Sequence, residues 1–440
     1  MSSETGGTAP AGAGSAPAAF HVLAKPTGAI CNLDCTYCFF LSKEMLYPGS
    51  RFRMADDLLE TYIRQLIEAH RTPEVIIAWQ GGEPTLMGLD FFRRSIEYEE
   101  KHRRPGMRIV NTIQTNGTLI DDEWAEFFKQ QGFLVGISID GPRDVHDAFR
   151  VDKAGKPTFD RVMRGLGFLK EHGVEWNALT TVNAANVEEP ARVYRFLRDE
   201  AGARFIQFIP IVERSDATAE ILAFGAVTER SVSAEGWGRF LIAVFDEWVR
   251  RDVGTVFVQM FDAALASWAG APPAICIFAE TCGDALALEH NGDLYSCDHF
   301  VEPAHLLGNI QRESMIELVA SEKQRKFGTD KRDTLPRYCR ECDVRFACHG
   351  ECPKNRFILT PDGAPGLNYL CAGYKAFFHH VDEPMRFMAD ELRRNGAPSN
   401  VMAYMGRKDA SLRQSLATAG RNAPCPCGSG KKRKRCHGAA

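Results

Sequence analysis

The sequence predicts an α/β fold: a run of alternating strands and helices, then a cysteine-rich module, then a small metal-binding tail. Three observations predict it. Between residues 20 and 210, six apolar, β-branched runs of strand length alternate with stretches of helical period. All fourteen cysteines fall into three groups, within 31–38, 276–371 and 425–436, leaving none for a core-filling role. The 440 residues are 45% hydrophobic and 25% charged, a globular balance in a chain long enough for one barrel-sized domain plus smaller modules.

Charge excludes some functions. Lys+Arg 53 against Asp+Glu 57 gives a net charge of −4, so no global basic field exists to hold nucleic acid. No apolar run reaches transmembrane length, and no membrane association is expected. The first twenty residues, MSSETGGTAPAGAGSAPAAF, lack the basic start and Leu-rich stretch of a secretory signal. A cytoplasmic, reducing location is therefore expected, where fourteen cysteines point to metal rather than disulfides.

Residues 1–18 are Gly/Ala/Pro/Ser/Thr-rich and predict a disordered leader. Strands are expected at HVLAKPT, VIIAW (75–79), RIVNTIQT (108–115), FLVGISID (133–140), EWNALTTV (175–182) and RFIQFIP (204–210). Helices are expected at 56–70, 90–101, 121–131, 158–172 and 187–200, with Asp121 and Thr158 as N-caps. In the first, Leu58, Leu59, Tyr62, Ile63, Leu66 and Ile67 make one apolar stripe. Such alternation builds parallel β/α units, closing as a doubly wound sheet or as a full or partial barrel; in each, chemistry belongs at the carboxyl ends of the strands. Residues 233–268 read as helical, 276–375 as short and irregular, and 376–415 as helical again. The expected domains are thus the leader 1–18, a β/α domain 19–232, a helical connector 233–275, a cysteine-rich domain 276–375, a helical segment 376–415 and a tail 416–440.

The first cysteine group, Cys31-x3-Cys35-x2-Cys38, follows the first strand. Three thiolates on one loop can hold three irons of a [4Fe–4S] cluster and leave the fourth open. A zinc site would want a fourth ligand, and a redox CxxC pair carries no third cysteine at this spacing. With Tyr37 before the last cysteine, the motif resembles that of the radical S-adenosylmethionine enzymes. In that family the cofactor chelates the open iron and is split to a 5′-deoxyadenosyl radical. The resemblance implies a partial (β/α)6 TIM-like barrel. It also implies cofactor-binding roles for Tyr37; for Gly81, Gly82 and Glu83 of the GGEP segment, which meets the cofactor's amino group; for Gln114 and Asn116 of QTNG; and for Ser138 and Asp140 of SIDG. Arg150, closing HDAFR, is a candidate carboxylate partner.

The eight cysteines of the second group suffice for two fully ligated [4Fe–4S] clusters or two Cys₄ zinc sites. Cys276, Cys282 and Cys297 followed by Cys339-x2-Cys342-x5-Cys348-x3-Cys352 resemble the SPASM twin-cluster domain, and GDLYSCDHFV resembles the anaerobic sulfatase-maturating enzymes. By that resemblance one auxiliary cluster takes Cys276, Cys282, Cys297 and Cys352, the other Cys339, Cys342, Cys348 and Cys371. Spacing alone allows many pairings. The implied activity is oxygen-independent oxidation of a sulfatase Cys or Ser to Cα-formylglycine. Asp298, beside Cys297, is the candidate base for the substrate thiol or hydroxyl. His299, a lone loop histidine, is left out of that role. Relatives commonly carry Tyr where this chain has Phe40, so no hydroxyl contact is expected there.

In the tail, Cys425-Pro-Cys427 and Cys436-His437 offer a closed tetrahedral Zn²⁺ set resembling the zinc motif at the C-terminus of the SecA translocation ATPase. The basic run 431–435 is either a solvated face or a contact for a chaperone or ribosome. The expected cofactors are three [4Fe–4S] clusters, S-adenosyl-L-methionine and Zn²⁺. The expected partners are an unfolded sulfatase segment of the CxPxR or SxPxR type and an electron donor such as flavodoxin or ferredoxin. Two rival readings remain: another SPASM peptide modifier forming thioether or carbon–carbon crosslinks, or a non-catalytic iron–sulfur or zinc adaptor.

Overall fold

The computed structural model describes residues 16–215 and 227–437. Most of the expected leader therefore lies outside the described residues, as does the stretch 216–226 within the expected β/α domain. The leader's last residue, Ala18, accepts a backbone hydrogen bond from Arg71 at 2.9 Å.

Six strands form where the β-branched runs lie: β1 (His21–Lys25), β2 (Glu74–Trp79), β3 (Arg108–Thr115), β4 (Leu134–Ser138), β5 (Trp176–Val182) and β6 (Phe205–Pro210). They pair in sequence order and all in parallel. This is the open (β/α)6 sheet expected of a partial barrel, buried on the faces its helices cover. The stripe on Asp56–Ala69 is buried throughout, from Leu58 to Ile67. Asp121 caps Asp122–Gln131 by accepting from the Trp124 amide.

Thr158 precedes its helix, Phe159–Glu171, but does not cap it through its side chain. Its hydroxyl donates instead to the Arg150 carbonyl at 2.7 Å, and the carboxylate of Asp147 accepts from the Thr158 and Phe159 amides at 2.9 Å. A stronger acceptor from a neighbouring segment has displaced the local one. The helix expected from Val187 starts at Pro190, with proline at its first position where no donor is needed, and widens to a π-helical turn over Phe196–Glu200. The stretch 233–268 is two helices, Ala234–Arg251 and Gln259–Ala269. The chain turns between them at Gly254, which adopts φ +86°, and adds the short strand β7 (Phe257–Val258) beside β6.

The cysteine-rich segment is more regular than expected. It extends the barrel sheet from the free edge of β1. Strand β8 (Ala285–Glu289) pairs parallel with β1 from His21↔Ala285 to Lys25↔Glu289, and β9 (Asp293–Tyr295) and β10 (Leu306–Asn309) follow antiparallel. The sheet order is β10-β9-β8-β1-β2-β3-β4-β5-β6-β7. Hydrogen bonding to β1, which local sequence pattern does not reveal, gives this segment its order.

The C-terminal helices are Cys371–Arg393 and Asn400–Thr418, so both expected borders of 376–415 fall inside helices. Cys371–Arg393 crosses Ala234–Arg251 at Gly238 and Gly373. A Cβ at Gly373 would lie 2.0 Å from the Ala234 carbonyl oxygen, and only glycine permits that approach. Trp237 meets Tyr374 edge-on and Phe245 meets Phe377, both pairs being buried.

Candidate active site at the carboxyl ends of the strands

The Cys31–Cys38 loop leaves β1 and is laced to the segment after β4. Asp34 donates to the Val151 carbonyl at 2.8 Å and Thr36 to the Phe149 carbonyl at 3.1 Å. Cys31, Cys35 and Cys38 share one small apolar cluster with Leu33, Tyr37 and Phe149. Burial pushes the Cys31 thiol up to about 12, the nearby Glu83 carboxylate adding to the effect, and the Cys35 thiol up to about 11. Three thiols gathered on one half-buried loop fit three ligands of a metal cluster better than a redox pair.

The residues expected to meet the cofactor divide into two sets. The first supports the loop. Tyr37 donates to Asp140, whose carboxylate also pairs with Arg150 Nε at 3.1 Å and accepts from the Thr181 amide at 3.1 Å. All three are buried, and the Arg150 guanidinium lies over the Tyr37 ring. Tyr37, Asp140 and Arg150 thus form a buried brace beneath the cysteine loop, with Arg150 meeting a carboxylate as expected.

Glu83 likewise ties segments of the scaffold together. Its carboxylate accepts from Thr85 N, Thr85 Oγ1, Thr115 Oγ1 and Asn116 N at 2.6–3.1 Å, tying the end of β2 to the end of β3. Burial pushes this carboxyl up, and the four donors act against that shift. Asn116 in turn donates to Asn32 Oδ1 at 2.8 Å and approaches Cys31 Sγ at 3.6 Å.

The second set still lines the inner face. Gly82 donates to the Gly28 carbonyl at 2.8 Å and Glu83 to the Ile30 carbonyl at 2.9 Å. A Cβ on Gly82 would sit 2.0 Å from the Ile30 oxygen. The glycines therefore let the GGEP turn press against the backbone leading into the cysteine loop, and what the turn can offer an ammonium is carbonyl oxygen. Gln114 Nε2 donates to Ser138 Oγ at 3.0 Å. Its amide passes over Gly136, where a Cβ would meet Gln114 Oε1 at 2.1 Å and Asn177 Oδ1 at 3.2 Å. The buried Thr27 Oγ1, Asn177 Oδ1 and Thr181 Oγ1 have no hydrogen-bond partner. Thr27 and Thr181 lie at the carboxyl ends of β1 and β5, where orphaned polar atoms fit a polar ligand that would satisfy them, whereas Asn177 is near the start of β5. Sequence reading missed these three; each is a polar residue in or just after an apolar strand, the one signal that pointed to them.

The second cysteine group resolves into two sets. Cys339, Cys342, Cys348 and Cys371 line one cavity. Cys276, Cys282, Cys297 and Cys352 lie near enough that charge on one opposes ionisation of another, as Cys276 and Cys282 do at Cys297. Burial pushes Cys297 and Cys348 up to about 12. The link between the sets, His349-Gly350-Glu351, has left-handed backbone throughout, with φ +46°, +73° and +52°. Arg356 holds it by donating to the carbonyls of all three at 2.9–3.1 Å. Arg356 is a further residue that the sequence did not mark.

Asp298 follows Cys297 in a short turn and faces the barrel. Its Oδ1 lies 2.6 Å from Lys25 Nζ, the last residue of β1. His299 packs edge-on against Phe39 with Nδ1 3.5 Å from Cys352 Sγ, and burial lowers its imidazole to about 4, helped by Lys354. It is a half-buried ring in contact with a cysteine of one auxiliary set.

In the tail, the ligand atoms of Cys425, Cys427, Cys436 and His437 all lie within 4.8 Å of one another. The sulfur pairs Cys425–Cys427 and Cys427–Cys436 are 3.3 and 3.5 Å apart, and Cys425 Sγ is 3.2 Å from His437 Nδ1. Zn–S bonds of about 2.3 Å in a tetrahedron need sulfurs only a little farther apart, so the set fits zinc.

Comparison with known proteins agrees with this geometry. The Radical SAM superfamily profile matches residues 26–197, an iron–sulfur cluster-binding domain (SPASM) residues 276–343, and the SEC-C motif residues 421–439. The serine-type anaerobic sulfatase-maturating enzyme of Bacteroides thetaiotaomicron is 49% identical over 402 residues, covering 89% of this chain and 96% of the relative. The cysteine-type enzyme of Clostridium novyi is 32% identical over 378 residues, covering 84% and 97%. The solved structure of native anSMEcpe with bound AdoMet and Kp18Cys peptide is 32% identical with a TM-score of 0.76, covering 84% of this chain and 99% of that one. Streptococcus suis SuiB shares the fold at 16% identity, with a TM-score of 0.53 over 77% of this chain and 74% of its own. Near-complete coverage of relatives at up to 49% identity, on a barrel that carries the three-cysteine loop, places the chain in the anaerobic sulfatase-maturating enzyme family of the radical SAM superfamily.

Proposed function

We propose that this chain oxidises a Cys or Ser in an unfolded sulfatase segment of the CxPxR or SxPxR type to Cα-formylglycine, without oxygen. The observation that carries the reading is the placement of Asp298. It stands beside Cys297 of one auxiliary set and against the end of β1, which leads into the Cys31–Cys38 loop. When bound, S-adenosyl-L-methionine and the [4Fe–4S] clusters supply a 5′-deoxyadenosyl radical that takes a hydrogen atom from the substrate Cβ and an acceptor for the second electron.

The chain's own residues do the rest. Cys31, Cys35 and Cys38 hold the first cluster. Cys276, Cys282, Cys297 and Cys352 hold one auxiliary cluster, and Cys339, Cys342, Cys348 and Cys371 the other. The carbonyls of Gly81 and Gly82 would be offered to the cofactor's amino group, and Gln114 and Ser138, with the orphaned Thr27 and Thr181, would give it polar partners. Glu83, Asn116, Tyr37, Asp140 and Arg150 keep the loop and the turn in register. Asp298 accepts the proton from the substrate Sγ or Oγ, so that with the hydrogen atom and one electron gone the carbon is left as the aldehyde or its sulfur analogue, which water hydrolyses. Zn²⁺ in the tail sits on Cys425, Cys427, Cys436 and His437 and fixes a unit too small for a core of its own.

The low-potential electron comes from a flavodoxin or ferredoxin in the cytoplasm. The exposed basic run at 431–435 meets a chaperone or ribosome surface. Among the described residues no helix is long and apolar enough to cross a membrane.

The test is anaerobic reconstitution with a sulfatase peptide, dithionite and S-adenosylmethionine, read by mass spectrometry. A loss of about 18 Da from a Cys peptide or about 2 Da from a Ser peptide, with 5′-deoxyadenosine, supports the reading by the stoichiometry of the oxidation. Asp298→Asn should keep its iron and release 5′-deoxyadenosine while losing most product; a normal formylglycine yield removes Asp298 from the chemistry.

A further inference from the structure

We infer that Lys25 is a positioning residue for Asp298, anchored from the far side by Glu289. This deepens the proposed function and rests on its reading of Asp298 as the proton acceptor.

The arrangement starts from strand pairing. β8 lies beside β1 in a register that sets Lys25 opposite Glu289. Their side chains meet with Nζ 3.2 Å from Glu289 Oε1. The same ammonium reaches Asp298 Oδ1 at 2.6 Å, and Phe40 lies beneath it at 4.8 Å from the ring centroid. Lys25 is 1% exposed. An ammonium so buried is tolerable only when paired, and one carboxylate is not enough to fix a side chain on four rotatable bonds. Two carboxylates and an aromatic face hold it to one place.

Asp298 is joined to Cys297 of one auxiliary set and reaches across to the end of β1. The Lys25 ammonium meets this carboxylate with Nζ 2.6 Å from Oδ1. The second carboxylate oxygen remains for the substrate. Phe40 contributes by what it lacks: a hydroxyl at that position would compete for the same carboxylate or the same ammonium.

The test uses the full-length, reconstituted protein and four variants: Lys25→Met, Lys25→Arg, Lys25→Met with Glu289→Gln, and Asp298→Asn. Each is assayed for iron per chain, 5′-deoxyadenosine, formylglycine, and the organic radical trapped by freeze-quench electron paramagnetic resonance. Lys25→Met should keep iron and 5′-deoxyadenosine release within about twofold, yet yield at least about tenfold less formylglycine per 5′-deoxyadenosine, with a substrate radical accumulating. Lys25→Arg should restore part of the coupling. The double variant removes the unpaired carboxylate that could unfold the single one, and should stay uncoupled.

A merely structural lysine would lower 5′-deoxyadenosine and formylglycine in parallel, or lower iron; either result overturns the inference. If Asp298→Asn is uncoupled but the lysine variants are not, the inference about Lys25 fails alone. If Asp298→Asn makes product normally, the reading of Asp298 has failed first.

Discussion

The phenol of Tyr37, inside the three-cysteine loop, donates a hydrogen bond to the carboxylate of Asp140, at the end of a strand 103 residues away. Arg150 completes the contact from a third segment at 3.1 Å. The brace ties the three-cysteine loop to two segments far away in the chain. The brace also makes the loop vulnerable from a distance.

Arg150→Met tests that vulnerability. It leaves the Asp140 carboxylate buried without its cation, and breaking a buried pair in this way costs about 3–5 kcal/mol. The expected outcome is a lower denaturation midpoint together with reduced iron at the first site. Tyr37→Phe removes one buried hydrogen bond and should cost about 1–3 kcal/mol, with a smaller loss of iron.

The GGEP turn gives a steric prediction. With the Ile30 oxygen 2.0 Å from where its Cβ would lie, Gly82→Ala must push the turn away from the cysteine loop. Overpacking of this kind costs about 1–3 kcal/mol or more. Binding of S-adenosylmethionine, measured by the change in the cluster's electron paramagnetic resonance signal, should weaken strongly. Gly167→Ala, which has open space around it, should leave both unchanged.

Gly373 links helix packing to metal binding. It lies two residues after Cys371 on the helix that presses against Ala234–Arg251. Gly373→Ala has no room for its methyl beside the Ala234 carbonyl, so the helix must shift and carry Cys371 with it. The expected result is an iron content lowered by one cluster's share, with 5′-deoxyadenosine release retained, read by iron analysis and chromatography.

Glu99 predicts a pH dependence of stability. Burial raises its carboxyl to about 7, against hydrogen bonds from Asn111 at 2.8 Å and Ser95 at 3.1 Å that act the other way. Between the unfolded value near 4.5 and 7, the folded chain keeps this proton while the unfolded chain releases it. Stability from this group therefore falls as pH rises through that window, by roughly 3 kcal/mol in total. Glu99→Gln should flatten the decline in denaturant midpoint between pH 5 and 8. Part of the slope should remain, because burial raises Asp262 to about 7 as well.

Zinc removal separates the tail from the chemistry. Cys427→Ser takes one ligand from the Cys425, Cys427, Cys436 and His437 set. The variant should lose zinc by elemental analysis while its iron content and formylglycine yield stay at the parent level.

The six barrel strands were legible because each is a short β-branched run bounded by turn residues, and the three cysteine groups because they cluster along the chain. The helix after Asn183 was misplaced because a proline start and an Asn-based turn outweighed its apolar period. The order within the cysteine-rich segment was invisible because its strands exist only through pairing with β1.

The sequence by itself determined the α/β class, the cysteine groups and the residue types available for radical chemistry, since these follow from local pattern and ligand preference. Only the tertiary structure decided what those residues touch. It turned Glu83, Tyr37, Asp140 and Arg150 inward as supports and brought Lys25 against Asp298. The reason is that a buried polar side chain goes where its hydrogen bonds and charge are satisfied. Its partners lie on strands far apart in the chain, beyond the reach of any local pattern.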